Sequence, residues 1–121
     1  MKLTIPIETV PKTTPTEAGK VWAYKQSEAD IKLAVKDYLA IRGIFSFPLL
    51  QGIASYKGLP DRVAHLNFGK GSEVVYLEIK KFGGKLSKYQ EEFRDQCYRD
   101  GIHYLVIHSL EELVAFIWEV K

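Results

Sequence analysis

The chain has 121 residues, with 17 lysines and arginines against 15 acidic residues, so its net charge is +2 at pH 7 with histidine neutral. Its 46% hydrophobic and 26% charged residues suit one globular domain and exclude a disordered chain. The single cysteine, Cys97, excludes an internal disulfide framework and a multi-cysteine zinc site. No apolar run approaches the roughly 20 residues that cross a bilayer, so we expect an intracellular protein without a membrane segment.

The first 26 residues carry three prolines and no sustained hydrophobic period, which predicts an extended N-terminal arm before a domain at residues 27–121. A capping-box pattern begins at Ser27, and apolar residues at helical spacing then continue to Gly43. These signals predict a first helix over residues 28–42.

The rest of the chain predicts four strands and two further helices. In chain order they are strands at residues 44–47, 63–68 and 73–80, a helix that begins after Ser87 and ends at Gly101, a strand at 102–107, and a helix that begins after Ser109. The front strands should pair antiparallel, and the helix before the last strand should make that strand parallel to its partner. We therefore expect an α/β fold in the order α-β-β-β-α-β-α, with a small mixed sheet between helices.

Three charged residues meet at one end of the predicted hairpin. A hairpin symmetric about Lys70 sets Asp61 opposite residue 79, beside Glu78 and Lys80. Glu78 and Lys80 are two residues apart on a strand and so point to the same face, where charges are costly unless they have a partner or a task.

The first helix adds a third carboxylate, because Glu28 shares its stripe with Ile31 and Val35 and should project toward the sheet. Carboxylates are the ligands that Mg²⁺ prefers, and a nearby lysine can orient water or offset charge on a phosphate. Residues 56–90 also carry seven basic and three acidic residues, a net charge of +4 that fits an anionic partner. These residue types indicate metal-dependent phosphodiester hydrolysis.

Leu59-Pro60-Asp61 followed by Glu78-Ile79-Lys80 resembles the signature of the PD-(D/E)xK nucleases, and the flanking residues resemble its VRR-NUC branch. The resemblance covers residues 27–117. Its segments are Ser27-Glu28-Ala29-Asp30-Ile31, Arg42-Gly43-Ile44, Lys57-Gly58-Leu59-Pro60-Asp61, Glu78-Ile79-Lys80, and Gly83-Gly84-Lys85-Leu86-Ser87 with Gln90.

The resemblance implies a restriction-endonuclease-like core and a Mg²⁺ or Mn²⁺ cofactor. Asp61, Glu78 and the backbone carbonyl of Ile79 would hold the metal. Lys80 would position the attacking water or stabilise the charged transition state.

Further roles follow from the same resemblance. Glu28 would shape the metal site or serve a second metal, and Gln90 would lie near it. Stand-alone members of this size resemble Holliday junction resolvases, which implies a homodimer acting on four-way DNA junctions in the cytoplasm of a bacterial or phage-infected cell. The candidate phosphate contacts are Lys57, Lys81, Lys85 and Lys88.

Each residue also has a purely structural interpretation. Glu28 suits a helix N-terminus, Gln90 suits a capping box, and Glu78 with Lys80 suits a salt bridge on a strand. Two other functions stay open: a nickase or flap- and end-processing nuclease working with a helicase, and a module that binds branched DNA without cutting it.

Overall fold

The computed structural model describes residues 26–52 and 55–119, so the predicted N-terminal arm lies almost wholly outside the described residues. Within them the elements follow the predicted order. They are α1 (Glu28–Ile41), β1 (Ser46–Pro48), β2 (Arg62–Asn67), β3 (Ser72–Ile79), α2 (Lys88–Arg99), β4 (His103–Ile107) and α3 (Leu110–Glu119).

The four strands of the described region form one mixed sheet in the order β1-β2-β3-β4. The first three strands are antiparallel, and β4 is parallel to β3 because α2 crosses between them. The α/β class, the element order and the mixed sheet are thus confirmed, and they are consistent with a restriction-endonuclease-like core.

The helix starts confirm the capping signals. The hydroxyls of Ser27 and Ser87 accept bonds from the N–H groups of Asp30 and Gln90, and both reciprocal bonds of the capping box are present. At α3, the Ser109 hydroxyl accepts a bond from the N–H of Glu112. No helix among the described residues is long and apolar enough to cross a membrane.

The hairpin register differs by one residue from the prediction. Arg62 pairs with Leu77 and Asn67 pairs with Ser72, so the turn is centred between Gly69 and Lys70 and not on Lys70. The Asn67 side-chain oxygen accepts a bond from the N–H of Gly69, and Gly69 has a φ of 99°, which favours this tighter placement. Extended by one residue before β2, this register sets Asp61 opposite Glu78 and not opposite Ile79.

The core lies on the face of the sheet that carries Val75, Leu77 and Ile79. Apolar residues of α1 and α3 cover that face; the buried ones are Ile31, Val35, Tyr38, Leu39, Leu113, Val114 and Ile117. The helix α2 covers the opposite face, where Phe93 packs edge-on against Tyr76 with ring centroids 5.1 Å apart. Glu78 lies on this second face, next to the start of α2.

Candidate active site

A cleft of about 730 Å³ opens where the start of α1, the loop before β2, the end of β3 and the start of α2 meet. The lining includes three of the predicted site carboxylates and the predicted glutamine: Glu28, Asp61, Glu78 and Gln90. Segments that are far apart in sequence therefore converge on one concave surface, as a substrate site requires.

Glu78 is the buried acid of this cleft, with only 2% of its side chain exposed. Its Oε2 accepts a bond from the Gln90 side-chain amide at 3.2 Å and lies 3.8 Å from Nζ of Lys80. Its Oε1 is buried and has no hydrogen-bond partner among the described residues. An unpaired buried carboxylate oxygen is unfavourable unless another group binds it.

The pKa of Glu78 is raised to about 8, first by burial and then by the negative charge of Asp61, against a lowering by Lys80. Both carboxylates cannot easily be ionised side by side without a further positive charge. When both acids are ionised, the pair therefore carries uncompensated negative charge, which a proton or a cation bound in the cleft would neutralise.

Asp61 is held by backbone on both sides. Its Oδ2 accepts a 2.7 Å bond from the N–H of Ile79, and its own N–H donates to the carbonyl of Leu77. The carbonyl of Asp61 in turn accepts a bond from the N–H of Leu49. These contacts fix the carboxylate beside Glu78 and leave Oδ1 facing the cleft residues.

Lys32 binds Oδ1 of Asp61, a contact that the sequence did not predict. Its Nζ lies 3.0 Å from Oδ1 of Asp61 and 3.2 Å from Oε2 of Glu28. The four-residue step from Glu28 to Lys32 on a helix is a readable signal for their pairing. The contact with Asp61 joins two distant segments and has no local signal.

Glu28 lines the cleft, but Lys32 is interposed between its carboxylate and Asp61. Among the described residues, no three histidine, cysteine or acidic side chains come together closely enough to hold one metal ion. The acidic centre is therefore the pair Asp61 and Glu78, with the Ile79 carbonyl still a predicted ligand.

The side chain of Gln90 makes two hydrogen bonds. Its Oε1 accepts a 2.8 Å bond from the N–H of Ser87, which completes the capping box, while its Nε2 donates to Glu78. The Gln90 amide therefore connects the start of α2 to the buried side chain of Glu78.

The loop before β2 packs against the first turn of α2 at Gly58. This glycine has a φ of 86°, and a Cβ there would lie 2.4 Å from the backbone oxygen of Tyr89. Nζ of Lys57 lies 5.1 Å from the centre of the Tyr89 ring, at the edge of the cleft. Only glycine permits this close approach, which places Lys57 at the site.

The four lysines predicted to contact phosphate lie in different places. Lys57 lines the cleft. Lys81, Lys85 and Lys88 are exposed side chains outside the cleft lining, in and just after the connection between β3 and α2.

The donor set fits a hard divalent cation. Asp61 and Glu78 supply two carboxylates, the unpartnered Oε1 of Glu78 supplies an available buried oxygen, and the open cleft leaves room for water and phosphate ligands. Lys80, which is 15% exposed and is not among the residues that line the cleft, supplies a positive charge next to Glu78.

No protein-family model, curated protein or solved structure matches this chain. The nuclease resemblance therefore stays a prediction from the residues of the chain.

Proposed function

We propose that this protein is a Mg²⁺- or Mn²⁺-dependent DNA endonuclease of the VRR-NUC branch of the PD-(D/E)xK nucleases. The observation that supports it most is the Glu78 carboxylate, buried to 2% exposure with Oε1 unpartnered, beside Asp61 and Lys80. A folded protein retains such an unfavourable arrangement most readily where a ligand or a reaction requires it.

Asp61 and Glu78 would hold the divalent ion, with the Ile79 carbonyl as a further ligand. When bound, the ion would acidify a water molecule and offset the charge that develops on the scissile phosphate. The chain keeps both carboxylates oriented in advance, Asp61 through the Ile79 N–H and Glu78 through the Gln90 amide.

Lys80 is the candidate for orienting the attacking water or stabilising negative charge on the phosphate. Its ammonium lies 3.8 Å from Glu78 and is mostly shielded from solvent, so its charge acts in a less polar medium than water. It follows Glu78 by two residues and is thus directed to the same side of the sheet edge.

We propose branched DNA, with the four-way junction first, as the substrate. The cleft is open, Lys57 lies at its edge, and the exposed Lys81, Lys85 and Lys88 extend positive charge beyond it. A homodimer would present two such sites to two strands. The enzyme would act in the cytoplasm of a bacterial or phage-infected cell.

The test is cleavage of labelled four-way junction, flap and linear duplex DNA with Mg²⁺, Mn²⁺ or EDTA. Wild type is compared with Glu78→Ala and with Glu73→Ala, a matched control that removes an exposed carboxylate from the same strand. Metal-dependent paired cuts in the junction, lost in Glu78→Ala and kept in Glu73→Ala, are expected.

Other outcomes select the other functions. Cutting confined to flaps or ends, by a protein that light scattering shows to be a 13.8 kDa monomer, would favour an end-processing nuclease. Tight junction binding with no cutting under any condition would favour a binding module and contradict the enzyme.

A further inference from the structure

We infer that Lys32 is a resident counter-ion of the carboxylate site, which a divalent metal ion must displace, so that this side chain sets the metal affinity. The inference rests on the proposed function, because it takes Asp61 as a metal ligand. It gives Lys32 a role in metal affinity that neither the signature residues nor the spacing of the motif indicates.

The two oxygens of Asp61 have different partners. Oδ2 is bound by the backbone N–H of Ile79 at 2.7 Å, and Oδ1 is bound by Nζ of Lys32 at 3.0 Å. Because the backbone bond orients the carboxylate, Oδ1 is the oxygen available to an incoming ion. An ion there would lie close to the ammonium, and two cations in contact repel each other strongly.

Lys32 is charged in this setting. Burial alone would lower its pKa, but hydrogen bonds and charges from Asp61 and Glu28 raise it above its ordinary value. The ammonium therefore offsets part of the negative charge that Asp61 and Glu28 bring to the cleft. A divalent ion would supply the same compensation more strongly, and the two compete for the same oxygen.

The Lys32 side chain also has room to move away from Asp61. Lys32 is 43% exposed, and it lines an adjoining groove of about 330 Å³ along with Leu33, Lys36 and Leu50. This groove is also lined by Asp61 and by the cations Lys36 and Arg62, so the exposed ammonium would leave Oδ1 of Asp61 by turning toward solvent. Lys80, at 15% exposure, has less freedom and stays beside Glu78.

The test titrates Mn²⁺ alone, without DNA, into wild type, Glu78→Ala and four lysine variants, and measures free Mn²⁺ by electron paramagnetic resonance. Lys32→Met and Lys32→Gln remove the charge, Lys32→Arg keeps it, and Lys36→Met is a matched control one turn further along α1. We expect both neutral Lys32 variants to bind Mn²⁺ about three- to tenfold more tightly than wild type. Lys32→Arg and Lys36→Met should bind no more tightly than wild type.

A second readout is the rise in melting temperature that Mn²⁺ produces, which reports binding to the folded state. It should be larger in the two neutral Lys32 variants than in wild type, and it shows directly that each variant folds. A merely structural role for Lys32 would instead lower the melting temperature equally with and without Mn²⁺.

The possible failures are distinct. Equal or weaker Mn²⁺ binding by both neutral variants overturns the inference about Lys32, while Mn²⁺ binding by wild type that Glu78→Ala abolishes leaves the proposed function standing. Absence of Mn²⁺ binding in wild type and in every Lys32 variant overturns the proposed function, and the inference that rests on it.

Discussion

Oδ2 of Asp61 accepts a 2.7 Å hydrogen bond from the backbone N–H of Ile79. This bond joins the residue before β2 to the last residue of β3, and it holds the Asp61 carboxylate next to Glu78. Since a backbone donor cannot rotate away as a side chain can, the two carboxylates stay together despite their mutual repulsion. The electrostatic properties of the site follow from this closeness.

The first prediction concerns the pH dependence of stability without metal. The pKa of Glu78 in the folded state is about 8, above its ordinary value, so the folded state binds more protons than the unfolded state between those two values. Stability should therefore fall as pH rises through that window and stay low above it. Glu78→Gln cannot titrate and should not show this loss.

Urea unfolding in EDTA at pH 5 and pH 9 measures the effect. Relative to Glu78→Gln, wild type should lose at least about 1 kcal/mol of unfolding free energy between the two pH values. Glu92→Gln, which removes an exposed carboxylate on α2, serves as the control and should follow wild type. Parallel pH curves for wild type and Glu78→Gln would show that burial does not hold the Glu78 proton.

The second prediction separates binding from chemistry at Lys80. Lys80→Ala should reduce the rate of junction cleavage by at least about 100-fold, because it removes a charge placed beside the reacting groups. Junction and Mn²⁺ binding should persist, since Asp61 and Glu78 remain. Single-turnover cleavage and gel-shift assays measure the two properties, with Lys70→Ala, in the hairpin turn away from the cleft, as the control. Cleavage by Lys80→Ala at the wild-type rate would remove the assignment.

The third prediction concerns the contact between the loop before β2 and the first turn of α2. Gly58→Ala introduces a Cβ 2.4 Å from the backbone oxygen of Tyr89, at a φ of 86° that alanine rarely adopts. Gly71→Ala is the control, because it also has a positive φ but meets nothing within 4 Å. Gly58→Ala should be less stable than Gly71→Ala by at least about 1 kcal/mol, as measured by urea unfolding.

The same variant should also weaken cleavage, since the loop carries both Lys57 and Asp61 to the site. Gly71→Ala, in the turn at the far end of the hairpin, should cut at the wild-type rate. If the two alanine variants were equally stable, the close approach of Gly58 to α2 would have no energetic role.

The fourth prediction concerns the cleft lysine. Lys57→Ala should weaken junction binding and lower the slope of log affinity against log salt concentration by about one, as expected for one lost phosphate contact. Lys70→Ala, in the hairpin turn away from the cleft, should change neither. Binding measured by fluorescence anisotropy at several salt concentrations provides both quantities, and an unchanged slope in Lys57→Ala would exclude the contact.

The sequence by itself determines the features of this fold whose causes are local. The starts of α1 and α2 follow from the capping boxes at Ser27 and Ser87, and the β3 face follows from the alternation that ends in Glu78. Such signals depend on residues within one turn of helix or one strand, so the element order and the mixed sheet could be predicted. The acidic and basic side chains at the signature positions are also evident from the sequence.

Only the tertiary structure decided how these residues meet. The turn at Gly69 moves the hairpin register by one residue, and Asp61 then bonds to Ile79 through its side chain. Lys32 reaches Asp61 from another element, and the Gln90 amide turns toward Glu78 while it caps its own helix. These contacts join segments far apart in the chain, and their geometry depends on burial and register, which no local pattern of residues encodes.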